Sequence, residues 1–187
     1  MFAPTNKGEL LAAMDAGFCP SVRFFPDCGG TRHEHLDDAC LSQWWAVDFS
    51  VDGHLVHSAE QAMMYGKARL FGDAVSEALI LSARTQYQAM ELGRRVTGFS
   101  EDLWDRERCE VVYRANFPKF SQTPDLCAYL LATGDDVLAE ASPVDLVWGI
   151  GHAAGDPFAA NPRRWPGLNL LGFVLMRIRE ELRTPQG

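Results

Sequence analysis

Glu60 and Lys67 stand seven residues apart in the stretch SAEQAMMYGKARLF, residues 58–71. In an α-helix, seven steps fall only ~20° short of two turns and rise ~10 Å, so both side chains leave the same face. Met64 lies between them on that line and Phe71 extends it. A carboxylate and an amine set among apolar side chains can do chemistry at a carbonyl carbon. A desolvated lysine loses its proton more easily and becomes a nucleophile, and a nearby acid can move protons. A plainer reading fits the same spacing. As second residue of a helix, Glu60 is stabilised by the helix dipole, and Lys67 can lay its stem along the core edge with its ammonium in water.

The elements that must position this pair are legible around it. Ser58 with Gln61 three residues on forms a capping box, the mark of a helix start. Immediately before it, residues 49–51 and 54–56 flank Asp52-Gly53, a pair suited to a type I′ hairpin turn. The hairpin feeds the helix and sets Glu60 beside a sheet end. Elsewhere, the pattern predicts helices over residues 6–16, 73–83, 85–96, 100–117, 124–134 and 167–182, and strands over 21–25 and 137–140. Residues 26–38 and 152–166 read as loops, the second as a lid or rim.

Further candidates lie outside the helix. Trp44 and Trp45 are either core anchors or the wall of an aromatic pocket. Asp145 follows Ser142-Pro143 at the spacing of a capping acid. Gly149 and Gly151 permit tight backbone near a ligand, but their spacing with Gly155 is not that of a dinucleotide fingerprint. Asn169 is expected in the first turn of the last helix, where backbone amides attract phosphate or carboxylate. Cys19, Cys28, His33, His35 and Cys40 lack the paired spacing of a structural zinc site, so they read as loop polar groups and buried thiols, with no metal expected.

The totals bound the class. The chain has 187 residues with 47% hydrophobic and 22% charged, enough for one domain with a real core that buries roughly 70% of its unfolded surface. No apolar run approaches the ~20 residues of a membrane span, and the first residues lack the basic start and apolar run of a secretory signal. Five cysteines without framework spacing fit reduced thiols in a cytoplasm. A net charge of −8 argues against an extended nucleic-acid groove. It leaves room for a small phosphorylated ligand held by arginines such as Arg94, Arg95, Arg163 and Arg164.

Several motifs then line up in one order: Leu41-Ser42 followed by aromatics; the Asp52-Gly53 hairpin; Ser58-x-Glu60 with Lys67; Trp104; Lys119-Phe120; Leu130-Leu131-x-Thr133-Gly134; Leu138-x-Glu140; Asp145-x-x-Trp148-Gly149-x-Gly151; and Asn169-x-x-Gly172-x-x-Leu175-Met176-x-x-Arg179. In these the chain resembles the NADAR family (NAD- and ADP-ribose-associated), also called YbiA-like, over roughly residues 22 to 182. The pieces are weak singly and strong in their joint order.

The resemblance implies an α+β fold, a mostly helical single domain with a small β-hairpin and sheet. The domain would span residues 21–183, after an extension over 1–20 and before a tail over 184–187. It also implies cofactor-free N-glycosidase chemistry on one of two substrate types. One is the ribosylamino-pyrimidine phosphate of riboflavin synthesis; the other is ADP-ribose carried on guanine. The family lysine matching Lys67 is thought to take up the opened sugar as an imine. Glu60 or Asp145 would move protons. Trp148, Trp104, Gly149, Gly151, Asn169, Ser42 and Trp44 would contact substrate. A third reading is a module that binds NAD or ADP-ribose without turnover. The chain departs from the family at Gln61, commonly His, at Gln43, usually Asn, and in a longer loop between Cys28 and Cys40. These departures bear on substrate identity.

Overall fold

The computed structural model describes residues 4–26 and 35–184. Seven helices and four strands are present among them: α1 Lys7–Asp15, β1 Val22–Phe25, β2 Phe49–Val51, β3 His54–Val56, α2 Ala59–Leu70, α3 Ala74–Leu81, α4 Gln86–Gly93, α5 Glu101–Ser121, α6 Pro124–Ala132, β4 Val137–Glu140 and α7 Leu170–Arg183. The fold is the expected α+β, dominated by helices. No helix among the described residues is long and apolar enough to cross a membrane. Contacts among the described residues group into two compact units: residues 4–26 with 36–42 and 128–184, and residue 35 with 43–127.

The unit built on Gln43–Cys127 is a helical cluster around α2. The hairpin forms as its turn residues require. Asp52 and Gly53 both take positive φ, 52° and 81°, and β2 pairs antiparallel with β3 from Phe49↔Val56 to Val51↔His54. Ser50 faces the outer edge of this hairpin. There the Gln122 side chain supplies both bonds a third strand would make: Ser50 N donates to Oε1 at 2.9 Å, and Nε2 donates to Ser50 O at 2.8 Å. Helix α5 packs on α2 closely at Gly66, where an added Cβ would lie 2.9 Å from Val111 Cγ1. The expected end of α5 near Phe117 is wrong. The helix runs through Pro118 to Ser121, although an internal proline removes a backbone bond. Ala115, Asn116, Lys119 and Phe120 are all buried on either side of it, and that burial offsets the lost bond.

The other unit is organised on β4, buried along its whole length. β4 pairs in parallel with β1, from Val22↔Val137 to Phe25↔Glu140. Helix α7 covers β4 with Leu171, Phe173, Leu175 and Ile178 buried. The close approach depends on Gly172, whose Cβ would fall 2.1 Å from Leu138 O. Helix α7 starts at Leu170, three residues later than the expected start at 167, so Asn169 lies before the helix and not in its first turn. That residue precedes the helix in the left-handed region at φ 55°.

Candidate active site

The first turn of α2 is pinned at several points. Ser58 Oγ accepts from Gln61 N at 3.1 Å, and Gln61 Oε1 accepts from His57 N at 2.8 Å. The capping box therefore closes one residue earlier than its usual form. Gln61 Nε2 also donates to Ile80 O at 2.9 Å and Ala83 O at 3.2 Å, tying α2 to the end of α3. Glu60, 4% exposed, donates its backbone N–H to Gln43 O at 2.9 Å. Gln43 is held in turn by buried Asn116 on α5, whose Nδ2 donates to Gln43 Oε1 at 3.2 Å and to Val112 O at 2.9 Å. These bonds set the level and azimuth of Glu60 before any ligand is present.

Lys67 lies two turns further along α2 and is half-buried. Its amine meets aromatic faces: Nζ is 4.8 Å from the Phe99 ring centroid and 5.5 Å from that of Trp104. Burial pushes its pKa below the ordinary lysine value, and the Glu60 carboxylate pulls it part of the way back. The Lys67 amine is thus partly desolvated, with the Glu60 carboxylate acting on it from the same helix.

Phe99 is the residue that sequence reasoning missed. The residue is 48% exposed, and its ring packs at 5.1 Å on Phe71, the C-cap of α2. A sign of it was present. Ser100 caps α5, accepting from Leu103 N at 3.4 Å. Phe99 and Trp104 therefore occupy the two positions of a hydrophobic staple.

Trp44 and Trp45 differ in burial. Trp45 is 8% exposed. Trp44 is half-buried, edge-on to Tyr87 at 5.8 Å, with its carbonyl accepting from Gln86 Nε2. A groove of about 580 Å³ follows another face of α2, between the hairpin and α5; its walls include Tyr65, Arg69, Glu107 and Tyr113 but neither Glu60 nor Lys67.

The remaining candidates belong to the β4 unit, where the structure gives most of them work within the fold. Asp145 caps a tight turn rather than a helix: Oδ1 accepts from Val147 N at 2.8 Å and Trp148 N at 2.7 Å, while Ser142 Oγ accepts from Asp145 N at 3.2 Å. Trp148 is half-buried and Ser42 fully buried. Gly149 makes room for backbone, since a Cβ there would lie 3.0 Å from Glu140 O. Gly151 takes φ 76° and would press a Cβ to 2.5 Å from Pro166 Cγ.

Asn169 is fully buried. Its Oδ1 accepts from Glu140 N at 3.1 Å and its Nδ2 donates to Leu138 O at 2.8 Å. Its own N–H donates to Gly149 O at 3.0 Å. The Asn169 amide is thus a strap on β4.

Three of the four arginines considered for phosphate have neighbours. Arg94 pairs with Glu91 at 2.7 Å, Arg163 with Asp15 at 2.5 Å, and Arg164 stacks over Phe158 at 4.3 Å. No cluster of three or more His, Cys, Asp or Glu side chains suited to a metal is found among the described residues. Cys28 and His33 lie outside those residues.

Comparison with known proteins gives a consistent picture. A family model described as the NADAR domain matches residues 31–183. The chain is 45% identical over 146 residues to N-glycosidase R617 of Acanthamoeba polyphaga mimivirus, covering 75% of this chain and 86% of that one. It is 40% identical over 114 residues to the chloroplastic riboflavin biosynthesis protein PYRR of Zea mays, covering 59% of this chain but only 16% of that longer protein. The NMR structure of Escherichia coli YbiA superposes with a TM-score of 0.64 over 88% of each chain at 24% identity, which establishes the shared fold. The family model spans the hairpin, the Glu60 and Lys67 helix and the β4 unit alike, and on this match the chain belongs to the NADAR domain family.

Proposed function

We propose that this chain is an N-glycosidase, a hydrolase of N-glycosyl bonds, acting on a phosphorylated, ribosylated base of the ribosylamino-pyrimidine phosphate type. The observation that carries the reading is the Lys67 amine, lowered in pKa by burial, held against two aromatic rings and facing Glu60 along α2. An amine whose neutral form is favoured by burial is what a nucleophile at a carbonyl-level carbon needs. The names of relatives, N-glycosidase and riboflavin biosynthesis protein, support the bond broken and the class of substrate.

In the proposed reaction the neutral amine adds to the anomeric carbon of the ring-opened sugar. The C–N bond to the base breaks with a proton delivered to the leaving nitrogen, and an imine joins Lys67 to the sugar. Water then adds to the imine carbon, releasing ribose phosphate and restoring the amine. The sum is substrate plus water giving base plus sugar phosphate. Glu60 is the proposed proton shuttle, because it shares a helix and an electrostatic field with Lys67, while one oxygen of Asp145 already caps its own turn.

Intact-protein mass after borohydride trapping tests this. The protein is offered the ribosylamino-pyrimidine phosphate and ADP-ribosylated guanosine separately, with Lys67→Ala as control. A ribose-phosphate adduct absent from the variant is the expected result. An ADP-ribose adduct would move the substrate to ADP-ribosylated guanine. No adduct with either, together with tight ADP-ribose binding, would leave a binding module.

A further inference from the structure

We infer that Phe99 is the platform for the leaving base, and that its half-exposed side chain beside the Lys67 amine selects a flat heteroaromatic leaving group. The inference rests on the glycosidase reading of Lys67.

The argument is one of reach. The carbon that Lys67 Nζ attacks must come to within a covalent bond of it, ~1.5 Å, and the base is attached to that same carbon. Nζ is itself only 4.8 Å from the centroid of Phe99 and 5.5 Å from that of Trp104. A ring bonded to the attacked carbon is therefore within reach of both aromatic side chains.

The two differ in access. Trp104 is half-buried on the fourth residue of α5, so its surroundings suit the part of the substrate that stays bound as the imine. Phe99 is 48% exposed. A group that must depart needs a path to solvent, and the ring that offers one is Phe99. A half-exposed phenyl side chain gains from a flat group that covers it. Phe71, packed on it at 5.1 Å, fixes its tilt from the end of α2, so the platform and the nucleophile share one support.

Base-on-aromatic stacking is worth enough to read by substitution, roughly 10- to 100-fold in affinity. Phe99 also occupies the staple position of α5, so the informative variant is Phe99→Leu, which keeps an apolar side chain there and removes the flat face. Phe99→Trp keeps both. The assay is product inhibition of turnover by the free pyrimidine base and by ribose phosphate, measured separately, with the melting temperature of each variant.

Phe99→Leu is expected to weaken inhibition by the base ~10-fold or more and to leave inhibition by ribose phosphate unchanged; Phe99→Trp is expected to restore or tighten the base. Equal weakening of both inhibitors, or no change in either, would overturn the inference while leaving the glycosidase reading intact. Absence of turnover and of a Lys67 adduct in the unaltered protein would overturn that reading, and this inference with it.

Discussion

Lys67 and Asn169 are both polar residues drawn into the interior, and the structure treats them in opposite ways. Asn169 on the β4 side has its carboxamide oxygen and nitrogen, and its backbone N–H, bonded to backbone groups of β4 and Gly149. Lys67 on α2 meets two aromatic rings, and its burial disfavours its charge. A buried polar group whose bonds are all made within the fold holds the fold together. One that is partly desolvated, as Lys67 is, has its neutral form favoured by burial. The same distinction separates Asp145, with one oxygen accepting two turn amides, from Glu60, whose field acts on Lys67.

The comparison can be broken most severely at Lys67. Under the imine mechanism, Lys67→Ala lowers turnover by at least ~10³-fold, as removal of a nucleophile does, and leaves the fold cooperative by thermal melting. Turnover within a few-fold of the parent would end the nucleophile assignment.

Next in size is Asn169→Ala, which strands Glu140 N–H and Leu138 C=O in the interior. At about 1–3 kcal/mol for each unpaired buried group, a loss of about 3 kcal/mol in chemical denaturation is expected. A loss below about 1 kcal/mol would show that the strap is not what secures β4 to α7.

Asp145→Ala removes a turn cap and is expected to lower stability by about 1 kcal/mol. If Asp145 also moves protons, Asp145→Asn lowers turnover far beyond what that stability change explains. A purely capping Asp145 shows the two effects in proportion.

The smallest effect sharpens the contrast through pH. Lys67 has a folded pKa below its ordinary value of 10.5. Between the two values the unfolded chain carries more protons than the folded one, so stability rises with pH through that window. At all lower pH the penalty of holding the charge is fully present. Lys67→Met therefore stabilises the protein at neutral pH, by up to about 1 kcal/mol. The gap to the parent narrows as pH approaches 10.5. A variant less stable than the parent at neutral pH would mean that the amine makes a net favourable contribution.

Much of the α2 region was legible because its determinants are local. Ser58 and Gln61 announce the helix start, Asp52-Gly53 announces the hairpin, and helical periodicity alone puts Glu60 and Lys67 on one face. Phe99 was legible too, one position before the Ser100 cap and five before Trp104, and was passed over because nothing local ties it to α2. The β4 side was harder. β1 and β4 each read as strands, but their parallel pairing joins distant segments, and no local rule selects that partner. The end of α5 was misplaced because Pro118 normally breaks a helix, and the burial of Phe120 that carries the helix past it is invisible in sequence.

Residue order therefore determined which helices form, where they are capped, how the hairpin turns and which side chains share a helical face, since each depends on neighbours a few residues apart. Tertiary structure decided that the Lys67 amine is partly dry and ringed by Phe99 and Trp104, and that the Asn169 amide is consumed by β4. Desolvation and hydrogen-bond partnership are set by groups brought together from far along the chain.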